Sequence, residues 1–487
     1  MTTFSMPGSA SAMRRRSLLK AAGSTALLGA AGLTAAGPAR AEGTDTTDEE
    51  STFYDVIVVG AGFAGLTAAR EFKAKGLQVL VLEARNRIGG RTWTGSFAGE
   101  VIEYGGAFVD PKQPYVWSEI QRYNIPLVAS VEEERTVMPT GTGFAPYAPA
   151  TAGPRMGQLL TPLFDGATEY FPHPTNPFYR EDLLQSVDQL SLRARLDQLN
   201  YSALDRSWVS GILAGLSGGS SARGALTMMA QIWALSGWSS AGFAGLNGSR
   251  PRQGTVQLAS ALLADSGATL KLNSPVASIT DTGSAVRVTT QAGRQYKAAH
   301  AVVAVPVNVW KTITFNPGLP SAFGAVSQAT IGAPISRKIW IRAAGNVGLF
   351  GANTQEGFPI STVIPFKKLA DGSVLMFAFC DDQTLDIHSV SQVQAVLRQL
   401  VPEIQVLAVT AQDWGTAQYS LGGWACRQPG QLTGQYRTIQ QPQGRLAFAT
   451  SDIASGWSGY IDGAIESGIR AAQAVAAMPG FAVASAV

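Results

Sequence analysis

Three glycines, Gly60, Gly62 and Gly65, spaced as G-x-G-x-x-G, and an acid, Glu83, eighteen residues beyond the last, are the residues whose types and spacing first suggest chemistry. Gly60 permits a tight turn, Gly62 lets the backbone approach a pyrophosphate, and Gly65 lets the following helix pack close on the preceding strand. Phe63 and Ala64, between the glycines, belong to the same phosphate-facing turn, where free N–H groups and the positive end of a helix dipole meet the ligand. Glu83 then offers a carboxylate to the ribose hydroxyls, with Ala84 and Arg85 beside it. The chemistry implied is dinucleotide binding.

Positioning those groups requires a strand, a helix and a second strand. Val56, Ile57, Val58 and Val59 form an apolar run that reads as a strand buried on both faces. A helix from Leu66 to Lys75 and a strand from Val79 to Leu82 complete the unit. Glycine-rich turns also occur without ligands, but here strand, helix and acid are all present. Arg85, Arg87 and Arg91 surround a second glycine pair, Gly89-Gly90, and place cationic and backbone-donor groups beside the same pyrophosphate. Glu103-Tyr104-Gly105-Gly106-Ala107-Phe108 follows.

These segments resemble the flavin-dependent amine oxidase family, whose members carry R-x-G-G-R-x-x-T and a G-G-[SA] turn at these places and hold FAD. Gly90, Arg91, Gly106 and Ala107 fall on those motifs. The resemblance implies an α/β fold: a Rossmann-type FAD-binding domain built from discontinuous segments, plus an α+β substrate-binding domain with a helical cap. The expected division is 53–110, 250–310 and 425–475 for the former and 111–249 with 311–424 for the latter.

Composition agrees with a large two-domain protein and excludes several classes. The chain has 487 residues, 46% hydrophobic and 15% charged, with a formal charge of only +3, so no nucleic-acid surface is expected. Two cysteines, Cys380 and Cys426, and three scattered histidines offer neither a metal site nor a disulfide framework. At the N-terminus, Arg15-Arg16-Ser-Leu-Leu-Lys20 resembles a twin-arginine export signal, followed by an Ala/Gly/Leu run too short for a convincing membrane span and by Ala39-Arg40-Ala41. The expectation is a signal over 1–41, a flexible linker over 42–52 and a periplasmic or exported mature protein.

Further along, 138–156 is rich in Gly, Pro, Thr and Ala and reads as irregular or edge structure, whereas 159–240 turns helical. Tyr170, Phe171, Phe178, Trp208, Trp233 and Trp238 in that region are assigned to packing, not to substrate. From the resemblance, Val276 contacts adenine through its backbone, Lys338 holds a water beside flavin N5, Asp452 meets the ribityl chain and the helix beginning near Ile461 faces the isoalloxazine. Lys338 lies in a strand-like run where the bland alternative is an edge lysine in solvent, and the adjacent Arg337 leaves the register open. Trp424 and Tyr460 match a pair of upright rings that cage the amine. Some relatives attach FAD through a cysteine where this chain has Trp424, and Cys426 comes two residues later, so non-covalent FAD is expected.

The activity implied is oxidation of a small aromatic or alkyl amine by hydride transfer from the carbon alpha to nitrogen to flavin N5, as in nicotine- and pseudooxynicotine-type enzymes. The imine hydrolyses to an aldehyde or ketone plus amine. Oxygen or a periplasmic carrier such as a c-type cytochrome reoxidises the flavin, and a homodimer is compatible with the reading. Two alternatives stand beside it: an L-amino-acid oxidase, which demands an arginine facing the carboxylate, and a non-catalytic flavin-binding assembly factor.

Overall fold

A computed structural model describes residues 52–478 and residue 481. The export signal and all of the linker except Thr52 lie outside them.

Two sheets frame the molecule. The first has eight strands and takes its members from distant parts of the chain. At its centre Phe53–Val59 runs parallel to Val79–Leu82 on one side and to Gln295–Val303 on the other. Val56, Ile57, Val58 and Val59 are each at most 3% exposed, which is why the run carries no polar alternation. Thr269–Lys271 extends the sheet beyond Val79–Leu82, and Leu446–Phe448 pairs with the end of Gln295–Val303. The antiparallel strands Val276–Asp281 and Val286–Thr290 continue it. Thr314–Asn316, beyond the boundary expected at 310, forms its edge by pairing in parallel with Val276–Asp281.

Register decides where the site lies. Val59 stands opposite both Leu82 and Val303, and Val303 stands opposite Phe448. Four parallel strands therefore finish at one level, the edge of an open α/β sheet where ligands bind. The helix Phe63–Lys73 springs from that edge and packs against Val256–Ser266 and Ile461–Ala476. It begins three residues earlier than the sequence suggests, because no side chain is required to start it once Gly62 has turned the chain.

The second sheet has seven strands, ordered Val406–Asp413, Arg337–Ala343, Val374–Cys380, Ile360–Lys368, Phe350–Asn353, Arg135–Pro139 and Phe144–Tyr147. One face packs Ile339, Ile341, Val374 and Met376 under the helix Val390–Leu397. The other carries Trp340, Leu375, Phe377 and Phe379 toward Ile102, Tyr104 and Phe108. The 138–156 stretch resolves into the edge hairpin Arg135–Pro139/Phe144–Tyr147 and a helix, Pro149–Leu160. A proline at the first turn is tolerated there because its missing N–H has no intrahelical partner to lose. The helices Ala203–Leu216 and Leu226–Leu235 form part of a layer in which Trp208 and Trp233 are 6% and 3% exposed. Among the described residues no helix is long and apolar enough to cross a membrane, and no group of His, Cys, Asp and Glu could hold a metal.

Candidate active site

A single cavity of about 470 Å³ runs from the strand ends of the first sheet to the inner face of the second. Gly62, Arg91 and Tyr460, separated by almost 400 positions in sequence, all line it. So do Gly60, Phe63, Ala64, Glu83, Ala84, Arg85, Gly90, Gly106, Ala107, Val276, Lys338, Trp424 and Ile461. Gly65 and Asp452 do not.

The glycines divide by what requires them. At Gly65 a Cβ would lie 2.0 Å from the Gly60 carbonyl oxygen, so the helix could not seat on the strand. Gly60 has φ +109°, and a Cβ there would lie 2.6 Å from the Ala304 carbonyl oxygen. Gly62 is different: its φ of −78° suits any residue, and a Cβ would meet nothing closer than Gly90 Cα at 3.8 Å. The protein alone does not demand glycine at 62; a ligand lying against the backbone would. The helix starting at Phe63 has neither a side-chain cap nor an acid in its first turn, leaving its dipole free for an anion.

Glu83, 4% exposed, ties this turn to the next. One carboxylate oxygen accepts from Ala61 N and the other from Arg85 N, both at 2.8 Å, leaving further lone pairs for ribose hydroxyls. Arg85 lines the cavity, donates to Ser420 Oγ at 2.7 Å and lies 5.5 Å from the Tyr419 ring centroid; burial lowers its pKa against the pull of Glu83. Arg91 joins the two ends of the chain. It donates to the Gly423 carbonyl at 2.6 Å and to Ser451 Oγ at 2.9 Å, and pairs with Asp452 Oδ1 at 2.7 Å.

Two residues expected beside the ligand stand behind the cavity wall. Asp452 is fully buried and turned from the cavity: one oxygen pairs with Arg91 and the other accepts from Val307 N at 2.9 Å. Its shorter side chain holds the arginine, and Ser451 takes the lining position. Arg87 likewise does not line the cavity. It donates to the Thr92 and Gly90 carbonyls, each at 3.0 Å, and so staples the glycine-pair turn from inside.

Lys338 sits in an interior strand, opposite Phe379 on one neighbour and Gln412 on the other. Period-two alternation sends Arg337 to the far face, where it pairs with Asp413 at 3.3 Å, and turns Lys338 and Trp340 toward the cavity side. Lys338 is 4% exposed, donates to the Gly105 carbonyl at 3.1 Å and lies 4.3 Å from the Phe377 ring centroid. Burial pulls its pKa down to about 8 against the attraction of Glu103. This placement removes the edge-lysine alternative.

The other half of the cavity is mainly apolar, with Ser361 and Thr362 as polar groups on the second sheet. Ile212 and Leu216 come from one cap helix, Met229 and Ile232 from the next, and Ile364 and Phe379 from the second sheet. Trp424 is fixed by an indole N–H bond to the Leu216 carbonyl at 2.9 Å and an edge contact with Phe379 at 5.7 Å. Tyr460 packs edge-on against Trp457 at 5.2 Å, and burial raises its pKa. Trp424 and Tyr460, expected from the resemblance, both line the cavity; Leu216, Met229 and Phe379 line it too, and a regular hydrophobic pattern gives no sign of them distinct from core. None of the six aromatics from 170 to 238 assigned to packing lines the cavity, and neither do the cysteines or histidines.

A profile of the family described as flavin containing amine oxidoreductase matches residues 63–476. The chain is 33% identical over 476 residues to nicotine dehydrogenase of Pseudomonas putida, covering 95% of this chain and 96% of that protein. It is 32% identical over 421 residues to pseudooxynicotine dehydrogenase of a Pseudomonas species, covering 85% and 84% respectively. Among solved structures, wild-type putrescine oxidase bound to putrescine superposes with a TM-score of 0.74 at 23% identity, over 88% of this chain and 99% of that one. That likeness shows the fold. The cavity's position at the strand ends, its two glycine turns and the extent of these matches lead to one assignment: the chain belongs to the family of flavin-containing amine oxidoreductases.

Proposed function

We propose that the protein binds FAD non-covalently and oxidises a small aromatic or alkyl amine of the nicotine or pseudooxynicotine kind at the carbon bearing nitrogen. The observation that carries the substrate class is the distribution of charge. Among the described residues four charged side chains line the cavity, Glu83, Arg85, Arg91 and Lys338, and the first three belong to the dinucleotide half. FAD, when bound, supplies the two-electron acceptor for hydride leaving the substrate carbon; the imine product hydrolyses in water.

The chain's own residues do the rest. An apolar wall from Leu216, Met229, Ile232 and Phe379 disfavours a charged ammonium, so the amine is held neutral with its lone pair available. Trp424 and Tyr460 present aromatic surface to it. Lys338 places a donor at the junction of the two halves. Glu83, the Gly62 turn and Arg85 hold the nucleotide portion, and the absence of cysteine and histidine from the cavity wall supports non-covalent attachment.

The L-amino-acid oxidase reading has less support, because the two arginines lining the cavity are engaged by Ser420 and Tyr419 and by Asp452 and Gly423. Purified protein should be yellow, release FAD on denaturation and bleach anaerobically with amines from a diverse panel. Colourless protein sinks the proposal outright, and bound flavin that no amine bleaches sinks it in favour of the assembly factor. Peroxide yield in air against reduction of a c-type cytochrome decides the acceptor. The export reading rests on Arg15-Arg16; Arg15→Lys with Arg16→Lys should leave the protein in the cytoplasm, and continued export would reject that route.

A further inference from the structure

Next to the Gly105-Gly106 turn lies a second, small void of about 10 Å³ whose lining includes Glu103, Arg250, Lys338, Trp340 and Phe377. Lys338 thus borders both spaces. Its ammonium has three N–H groups, and the Gly105 carbonyl takes one. Glu103, 5% exposed, is used unevenly. Its Oε1 accepts from Thr94 Oγ1 and Thr255 N, each at 2.6 Å, and from Thr255 Oγ1 at 3.0 Å, whereas the buried Oε2 has no protein partner.

A buried carboxylate oxygen without a donor is costly, and a polar void of this size is about what one water needs. The geometry points to a water in this void that bridges Glu103 Oε2 to Lys338 Nζ, making Glu103 the positioning residue that orients and keeps cationic the lysine beside the flavin site. Arg250 closes the void from the other side, 4.1 Å from the Phe366 ring centroid. Glu103 and Arg250 are the charged groups that act on Lys338 here, one favouring its cation and one opposing it. Its strand neighbours Phe379 and Gln412 are uncharged. The three donors on Oε1 fix the carboxylate's direction, so the chain holds Lys338 from behind through Thr94 and Thr255 as well as from above through Gly105.

The inference rests on the flavin reading for its consequence but not for its structure, and two measurements separate them. A high-resolution crystal structure of the unmodified protein should show one ordered water within hydrogen-bonding distance of Glu103 Oε2 and Lys338 Nζ, whether or not flavin is bound; a dry void overturns the inference. The flavin absorption spectrum of the substrate-free holoenzyme, titrated with base, should show an inflection near the lysine pKa of about 8. Lys338→Met should abolish it. Glu103→Gln keeps an acceptor oxygen for Thr94 and Thr255 but removes the negative charge, and should move the inflection down by about one to three pH units. An inflection unmoved in Glu103→Gln overturns the assignment, since a purely structural carboxylate would leave it in place.

Discussion

The two halves of the cavity are built by different means. The dinucleotide half is made from backbone: two glycine turns that nearly touch, an uncapped helix N-terminus and a carboxylate whose two oxygens hold two main-chain N–H groups. The amine half is made from side chains that four or more separate elements bring to one wall, with no charge beyond Lys338 among the described residues. Backbone constraints leave short, rigid sequence marks. Side-chain walls leave almost none, and they can be rebuilt for another substrate without disturbing the first half.

That contrast breaks first at the glycines. Gly65→Val forces a Cβ to within 2.0 Å of the Gly60 carbonyl and should cost at least ~3 kcal/mol of stability, measured by chemical denaturation. Gly62→Ala should instead fold as well as the parent or better by ~0.4–1 kcal/mol, yet bind FAD at least about tenfold more weakly by apoprotein titration. Equal FAD affinity in Gly62→Ala would remove the ligand-imposed reason for glycine there. Next, Glu83→Ala strands the Ala61 and Arg85 N–H groups and should lower stability by roughly 2–4 kcal/mol as well as FAD retention, which thermal melts with and without added FAD would separate.

The junction carries a pH signature. Lys338 titrates at about 8 in the folded protein and at 10.5 in its ordinary state, so the unfolded chain binds more protons between those values. Stability from this residue therefore rises with pH through that window and is flat below it; comparing melts of parent and Lys338→Met across pH 8 to 10.5 should show that slope disappear. On the amine side effects should be kinetic. Trp424→Ala and Tyr460→Ala should slow anaerobic flavin reduction on the order of tenfold or more while FAD stays bound. Met229→Ala, smallest of all, should shift preference between short and bulky amines by about tenfold with folding intact.

The same contrast explains what could be read in advance. Gly60, Gly65 and Glu83 announce themselves because each answers a local steric or hydrogen-bond demand of the chain, Gly62 because its motif place fits a close-lying ligand, and the strand-end register that gathers them follows from four apolar runs. Lys338 was legible as an odd charge in a strand, but its direction was not: only pairing with Val374–Cys380 and Val406–Asp413 fixes which face it takes. Asp452 and Arg87 lie one layer behind the cavity wall, since motif spacing records that a residue belongs to a site and not which partner its side chain prefers. Glu103 gives no sign of a role in the motif Glu103-Tyr104-Gly105-Gly106, because its uneven hydrogen bonding depends on Thr94 and Thr255, far apart in sequence.

The measurement that bears most directly on a charged nucleotide half joined to an uncharged amine half is a paired anaerobic stopped-flow comparison of flavin reduction by an amine and by its α-carboxylated counterpart, such as phenethylamine and phenylalanine. The cavity wall predicts rapid reduction by the former and little by the latter. Faster reduction by the amino acid would mean that an arginine faces the substrate after all, and would contradict the account.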